Sequence, residues 1–315
     1  MLTLDAGEVR RLLDWDSTIA ALEAMFRAGC EMPVRHHHTV KVPGAADATH
    51  LLMPAWSEGG YLGVKVVNVF PGNARANLPA VAGVYLLFSG QTGQPLATIE
   101  GGELTARRTA AASALAASKL ARRDASRLLI VGAGRMALNL AQAHARVRPV
   151  TQVEVWGRDG AKAEALARTL SEAGLEANAV TDLAAAASRA DIISCATLAN
   201  EPLIHGEWLK PGAHLDLVGG FTPAMREADD EAVRRASVFV DTRAGATKEA
   251  GDIVVPLANG ALSPGDIRAD LFDLARGAHP GRAAEDEITL FKSVGAALED
   301  LAVAALAYER AAKPG

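Results

Sequence analysis

The stretch Ser126–Ala145, SRLLIVGAGRMALNLAQAHA, decides the fold. An apolar run of strand length, Leu128–Val131, is followed by G-x-G-x-x-A over Gly132–Ala137 and then at once by helix-forming residues. In this order of strand, turn and helix, the motif indicates a dinucleotide site rather than an ordinary glycine turn. Gly132 permits the tight turn, and Gly134 lets a pyrophosphate approach the backbone at the positive end of the helix. The sequence therefore predicts an α/β fold with a Rossmann-type doubly wound parallel sheet.

The composition limits what this protein can bind. Its 315 residues, with 50% hydrophobic and 22% charged side chains, are typical of a globular protein of two domains. A net charge of -5 gives no basic surface for nucleic acid, so no such partner is expected. The two cysteines, Cys30 and Cys195, lack C-x-x-C spacing and fit a reducing cytoplasm. No signal peptide and no apolar run of about 18 residues is found, so no membrane partner is expected.

The residues before the motif predict a separate, largely antiparallel domain. Strands are expected over Thr49–Pro54 and Tyr61–Phe70, and a hairpin over Val81–Ser89 and Pro95–Glu100. The final helix, Ala296–Ala312, is expected to return to this first domain or to pack on a partner subunit. Because this domain is rich in strands yet short for a core of its own, we predict a homodimer.

Three adjacent histidines, His36–His38, precede these strands. Neighbours in an extended segment point to alternate faces, and no H-E-x-x-H motif or acidic partner at ligand spacing accompanies them. No metal site is expected.

Lys65 lies among β-branched residues and shares a strand face with Val67 and Val69. Two interpretations remain open. The lysine either prevents aggregation at the edge of a sheet, or it lies in a partly desolvated pocket where its pKa falls and it donates a proton.

Two arginines, Arg107 and Arg108, lie in the first turns of a predicted helix over Gly102–Arg122. Successive residues on a helix are rotated by about 100°, so one arginine is expected to face solvent. The other is expected to face a cleft between the domains, where its planar fork suits a carboxylate or a phosphate.

Arg158 follows the second predicted strand of the dinucleotide domain, Val153–Trp156. An acidic residue at this point selects NAD, whereas an arginine accommodates the 2′-phosphate of NADP. We therefore predict a preference for NADP(H). NAD(H) remains the alternative, because Asp159 follows directly and its carboxylate would reach the ribose after a small shift of the turn.

Four stretches, in the same order, resemble those of the ornithine cyclodeaminase/μ-crystallin family. They are Lys65–Asn73 (KVVNVFPGN), Leu104–Ala112 (LTARRTAAA), Ile130–Met136 (IVGAGRM) and Leu290–Asp300 (LFKSVGAALED). The resemblance spans nearly the whole chain. It implies a discontinuous α+β substrate-binding and dimerisation domain of residues 1–118 and 296–315, joined to a Rossmann dinucleotide-binding domain of residues 119–295.

The same resemblance implies roles for particular side chains. Arg35, Lys65 and Arg108 would hold the carboxylate of the substrate. In the reaction, Lys65 is a candidate either for the proton donor or for a clamp on the carboxylate, and the geometry decides between the two. The residues that would line the nicotinamide cofactor, together with Gly132 and Gly134 of the glycine loop, are Arg135, Met136, Arg158, Thr197, Val218 and Ser293.

One departure from the family pattern separates its branches. The cyclising deaminases carry an aspartate directly after a Gly-Gly pair, where this chain has Phe221, and phenylalanine cannot move a proton. The segments Phe221–Asp229 (FTPAMREAD) and Val34–His38 (VRHHH) are instead similar to the Δ1-pyrroline-2-carboxylate reductases. The expected function is therefore NAD(P)H-dependent reduction of small cyclic imino acids, Δ1-pyrroline-2-carboxylate or Δ1-piperideine-2-carboxylate, to L-proline or L-pipecolate.

Two other functions remain open. One is deamination by an ornithine cyclodeaminase or an alanine-type amino-acid dehydrogenase. The other is non-enzymatic binding of NADPH or another ligand, as in the μ-crystallin branch.

Overall fold

A computed structural model describes residues 1–76 and 78–313 of the chain, and these residues form two units. The first unit comprises Met1–Arg108 and the C-terminal segment that begins at Ala296, and the second comprises Thr109–Gly295. The boundary after Arg108 falls inside a helix, earlier than the predicted boundary at residue 118.

The strands, in chain order, are β1 (Leu2–Leu4), β2 (His36–Val40), β3 (Ala48–Trp56), β4 (Tyr61–Val69), β5 (Val81–Ser89), β6 (Pro95–Glu100), β7 (Arg127–Val131), β8 (Gln152–Trp156), β9 (Ala177–Ala179), β10 (Ile192–Cys195), β11 (His214–Leu217), β12 (Ser237–Val240), β13 (Ile267–Asp270) and β14 (Thr289–Lys292). The α-helices are α1 (Ala6–Leu12), α2 (Trp15–Ala28), α3 (Gly101–Leu120), α4 (Arg135–Val147), α5 (Gly160–Glu172), α6 (Leu183–Arg189), α7 (Asp230–Arg235), α8 (Arg243–Glu249), α9 (Gly251–Asn259), α10 (Leu271–Arg276) and α11 (Ala297–Ala312). Short 3₁₀ helices lie at Pro71–Ala76, Gly206–Trp208 and Pro264–Asp266.

The first unit is built on a six-stranded sheet in the order β1-β6-β5-β4-β3-β2. The strands from β2 to β6 pair antiparallel, including the predicted hairpin of β5 and β6, and β1 joins parallel to β6. Helix α11 packs against α2 and against β4. The final helix thus returns to the first unit, which was one of its two predicted destinations.

Burial alternates along the central strands of this sheet, because successive side chains point to opposite faces. Gly63 and Lys65 of β4 and Tyr85 and Leu87 of β5 are buried on the face that α11 covers. The opposite face is apolar but only half-buried or exposed, with Leu52, Pro54, Leu62, Val64, Val66, Val84, Leu86 and Phe88. We call this second face the open sheet face.

The second unit contains an eight-stranded sheet in the order β13-β12-β14-β11-β10-β7-β8-β9, and every pair in it is parallel. From β7 the chain moves outward through β8 and β9, and it then returns to β10 on the other side of β7. This reversal confirms the predicted doubly wound Rossmann-type sheet. Strand β14 lies between β11 and β12.

The core of the second unit lies beside these strands. Leu129, Val131, Ile193, Leu215 and Leu290 are buried in one apolar cluster. Such near-continuous apolar strands are expected where helices cover both faces of a parallel sheet. Within the described part of the chain, no helix combines the length and the apolar character needed to cross a bilayer.

Candidate active site

The glycine loop after β7 has the conformation that the motif predicts. Gly132 adopts a φ of 111°, and a Cβ atom there would lie 2.8 Å from the carbonyl oxygen of Ala196. Gly134 precedes α4 as its N-cap, and a Cβ atom there would meet no other atom within 4 Å. Ala137 is fully buried where α4 packs. The loop therefore leaves open space beside the first turn of α4, as a pyrophosphate requires.

The residues expected to line a nicotinamide cofactor gather at the carboxyl edge of the parallel sheet. Thr197 and Val218 follow β10 and β11, and Ser293 follows β14. The backbone N–H of Val218 donates to the carbonyl of Cys195 over 2.8 Å, and that of Ser293 to Leu217 over 3.1 Å. Ligands bind at this edge in open α/β sheets.

The first turn of α4 adds two more of the expected residues. Arg135 is exposed and Met136 is half-buried, and both directly follow the glycine loop.

Two charged residues, Arg158 and Asp159, follow β8 and have different surroundings. Asp159 is the N-cap of α5, where its carboxylate accepts from the backbone N–H of Lys162 over 3.3 Å and lies 3.5 Å from the ammonium of Lys162. Arg158 is exposed at the end of the strand. The carboxylate at this turn is therefore occupied in capping a helix.

Lys65 is buried in the first unit and its charge is compensated. Its ammonium lies 2.9 and 2.7 Å from the two carboxylate oxygens of Asp300, and 3.5 Å from the hydroxyl of Thr105. Strand β4 pairs with a neighbour on both sides, so the alternative of an edge-strand lysine is wrong. Burial lowers the pKa of Lys65 from 10.5 to about 8; the charge of Asp300 opposes this shift, and those of Arg108 and Arg35 add to it.

Arg108 and Arg35 belong to the same group of charges. The Arg108 guanidinium donates to Glu299 over 2.6 Å, and its Nε lies 3.2 Å from Asp300. Arg35 is half-buried just before β2, close enough for its charge to lower the pKa of Lys65. The structure therefore brings together all three side chains expected to hold a substrate carboxylate, with two acidic residues of α11 beside them.

Comparison with known proteins settles the family. The model of the ornithine cyclodeaminase/mu-crystallin family matches residues 2–315. This chain belongs to that family.

The most informative similarities are to enzymes of known structure or name. The Δ1-pyrroline-2-carboxylate reductase of Paracoccus denitrificans is 41% identical over 304 residues, which are 96% of this chain and 94% of that protein. The structure of the Thermococcus litoralis Δ1-pyrroline-2-carboxylate reductase in complex with NADH and L-proline is 36% identical, with a TM-score of 0.92 over 99% of this chain and 97% of that one. An archaeal alanine dehydrogenase dimer with bound NAD is 31% identical, with a TM-score of 0.90 over 99% of this chain and 96% of that one.

One expectation about the arginines of this family member is wrong. Arg107 is 8% exposed and Arg108 is 6% exposed, so neither faces solvent. The guanidinium of Arg107 lies 4.4 Å from the ring centroid of Trp15, and its Nε donates to Glu103 over 3.3 Å. Arg107 is buried because the first unit places an aromatic face and a carboxylate beside it.

Glu299 and Asp300 were not among the predicted site residues, although both lie in a stretch that carries the family resemblance. Both are fully buried in the first turn of α11, directly before an apolar run over residues 301–307. Two adjacent carboxylates next to such an apolar run indicate buried basic partners, because acidic side chains are almost never fully buried unless they are paired.

The three histidines lie on β2, where every residue is exposed. The rings of His36 and His38 lie 6.2 Å apart and that of His38 lies 6.3 Å from His50, all on one face of the strand pair. Across residues 1–76 and 78–313, no group of three His, Cys, Asp or Glu side chains is arranged to hold a metal ion.

Proposed function

We propose that this protein is a nicotinamide-dependent imine reductase that converts Δ1-pyrroline-2-carboxylate to L-proline, with Δ1-piperideine-2-carboxylate as a second substrate of the same type. The observation that carries the proposal is the buried Lys65, whose pKa is lowered to about 8 beside two arginines. The full-length similarity to two Δ1-pyrroline-2-carboxylate reductases supports the same oxidoreductase class.

The charges of the first unit suit an imino acid that carries a carboxylate. Arg108 and Arg35 offer planar forks that match a carboxylate. Binding of that anion offsets the repulsion between these arginines and Lys65, a repulsion that contributes to the lowered pKa of the lysine. The substrate therefore stabilises the protonated form of the lysine.

Lys65 is the proposed proton donor. When bound, a nicotinamide nucleotide would supply hydride for C2 of the substrate. The ammonium of Lys65 gives its proton to the imine nitrogen, and the resulting iminium still has its C=N double bond. That bond becomes a single bond when the hydride adds to C2. A donor with a pKa near 8 transfers its proton more readily near neutral pH than an ordinary lysine does. Asp300 keeps the ammonium oriented, since both of its carboxylate oxygens lie within 3 Å of it.

The second unit fits a nicotinamide dinucleotide. Gly132 allows the tight turn before α4, and Gly134 leaves open space at the start of that helix, as a pyrophosphate requires. Arg135, Met136, Thr197, Val218 and Ser293 would line the remainder of the cofactor. We propose a preference for NADPH, because Asp159 is occupied as a helix cap while Arg158 is exposed at the position that reads the 2′-phosphate.

We further propose that the protein is a homodimer. The open sheet face is a contiguous apolar surface, and surfaces of this kind mark interaction sites. A second copy of the same unit would bury it.

The decisive experiment follows the oxidation of NADPH and of NADH in the presence of Δ1-pyrroline-2-carboxylate or Δ1-piperideine-2-carboxylate. Turnover of either imino acid supports the proposal. Release of ammonia from ornithine or from alanine would favour a deaminating enzyme, and tight NADPH binding without turnover would favour a binding protein. Phe221, which is 47% exposed directly after Gly220, argues against the cyclodeaminase, because no acid stands at that position.

A further inference from the structure

The carboxylate of Glu227 joins two loops at the carboxyl edge of the parallel sheet. One of its oxygens accepts from the backbone N–H of Thr197 over 2.7 Å and from the Thr197 hydroxyl over 2.8 Å. The other accepts from the backbone N–H of Gly219 over 2.7 Å. Thr197 follows β10 and Gly219 follows β11, so a single fully buried side chain ties the ends of two adjacent strands together.

A second buried carboxylate fixes Glu227 in turn. Asp252, at the start of α9, accepts from the backbone N–H groups of Glu227 and Ala228 over 2.8 and 3.1 Å. The ammonium of Lys292, at the end of β14, lies 3.5 Å from Asp252 and donates to the carbonyl of Leu217 over 3.0 Å. Glu227, Asp252 and Lys292 are all fully buried.

The two glycines after β11 are required by this arrangement. A Cβ atom at Gly219 would overlap the backbone of Thr197 and the carboxylate of Glu227. A Cβ atom at Gly220 would lie 2.9 Å from a carboxylate oxygen of Asp252. The loops after β10 and β11 therefore lie in close contact. The carboxylates of Glu227 and Asp252 occupy the space that side chains at residues 219 and 220 would need.

The topology of the sheet shows which half of a dinucleotide these loops face. The strand order reverses between β7 and β10, and a dinucleotide binds across such a reversal with its pyrophosphate at the helix after β7. Arg158 at the end of β8 marks the adenosine side. The ends of β10 and β11 lie on the other side of the reversal, where the nicotinamide half belongs.

We propose that Glu227 is a positioning residue that holds the loops after β10 and β11 in the arrangement that binds the nicotinamide half of the cofactor. This inference rests on the proposed function. Glu227 acts through Thr197 and Gly219, and it has no part in binding the adenosine half.

The test compares NADPH with its nicotinamide-free counterpart, the 2′-phosphate of ADP-ribose (called ADP-ribose below), in Glu227→Gln protein. The amide of glutamine has one acceptor oxygen in place of two, so at least one of the three donors loses its partner. We expect the Kd for NADPH to rise about tenfold or more, the scale of a lost hydrogen bond to a charged group, while the Kd for ADP-ribose stays within about twofold.

The matched control is Asp191→Asn. Asp191 is also a buried carboxylate, and it accepts from the backbone N–H groups of Ser126 and Arg127 over 2.9 Å at the opposite edge of the same sheet. The Asp191→Asn substitution should lower the Tm, but any change in Kd should be the same for NADPH and for ADP-ribose. Equal weakening of NADPH and ADP-ribose by Glu227→Gln, or no weakening of either, would overturn the proposal.

A second variant, Thr197→Val, tests the same proposal if Glu227→Gln does not fold. Thr197→Val preserves the side-chain volume and removes one of the three donors, so a smaller loss confined to NADPH is expected. Unchanged NADPH affinity in this variant would overturn the proposal. Wild-type protein that binds no nicotinamide nucleotide would instead overturn the proposed function, a result that the wild-type titration gives before any variant is made.

Discussion

The ammonium of Lys65 lies 2.7 and 2.9 Å from the two carboxylate oxygens of Asp300, although the two residues are 235 positions apart in the chain. Strand β4 carries the lysine into the covered face of the first sheet, and α11 brings the aspartate to it. Burial alone would favour the neutral amine, and the aspartate offsets part of that effect. The ion pair therefore keeps the pKa of the buried lysine at about 8 instead of letting burial lower it further.

Replacement of Lys65 by methionine tests its role as the proton donor. Methionine keeps an apolar stem of similar length but has no charge and no donor. We expect kcat/KM for Δ1-pyrroline-2-carboxylate to fall by about 10²-fold or more, the usual scale of general acid catalysis. Lys41→Met is the control, because Lys41 is an exposed lysine paired with Asp47 on the surface. Full reductase activity in Lys65→Met would show that the proton comes from elsewhere.

The pH dependence of the reaction should report the same group. If Lys65 is the proton donor, only its protonated form is active, so kcat/KM should be level below its pKa of about 8 and should fall as the pH rises above it. Asp300→Asn removes the charge that raises the pKa of Lys65, so the falling limb should move to lower pH. Glu299→Gln, which alters the carboxylate bound to Arg108, should move it less.

Removing one partner of a buried ion pair typically costs about 3–5 kcal/mol of stability, so the pH profiles should be measured well below the Tm of each variant. A limb that stays in place in Asp300→Asn would contradict the assignment of the limb to Lys65.

Replacement of Arg158 by alanine tests the cofactor preference. The KM for NADPH should rise about tenfold or more, because the 2′-phosphate loses a charge-assisted partner, while the KM for NADH should hardly change. Arg168→Ala, on the exposed side of α5, is the matched control. Equal weakening of both cofactors would mean that Arg158 does not read the phosphate.

The homodimer is tested by the mass in solution. One chain has a mass of 32.8 kDa, so sedimentation of the wild type should give about twice this value at micromolar concentration. Leu86→Glu places a charge on the open sheet face and should yield the single-chain mass. Leu198→Glu, at an exposed leucine of the second unit, should not. A single-chain mass for the wild type would contradict the prediction.

The sequence by itself determined how the second unit begins, because the signals there are local. The apolar run, the glycine turn and the helix of Ser126–Ala145 fix the start of a doubly wound sheet through backbone constraints, such as the φ of 111° at Gly132. In the first unit, the local run of β-branched residues predicted strand β4. It left a desolvated Lys65 as one of two interpretations of that lysine.

Only the tertiary structure decided which charges meet. No local pattern states that Asp300 pairs with Lys65, that Arg107 stacks on Trp15, or that Glu227 joins the loops after β10 and β11. Each of these contacts depends on how a distant helix or loop docks against a sheet, and docking is set by the apolar surface that is buried rather than by the charges. A buried charge is tolerated only where docking supplies a partner, so the partners become known only once the chain is folded.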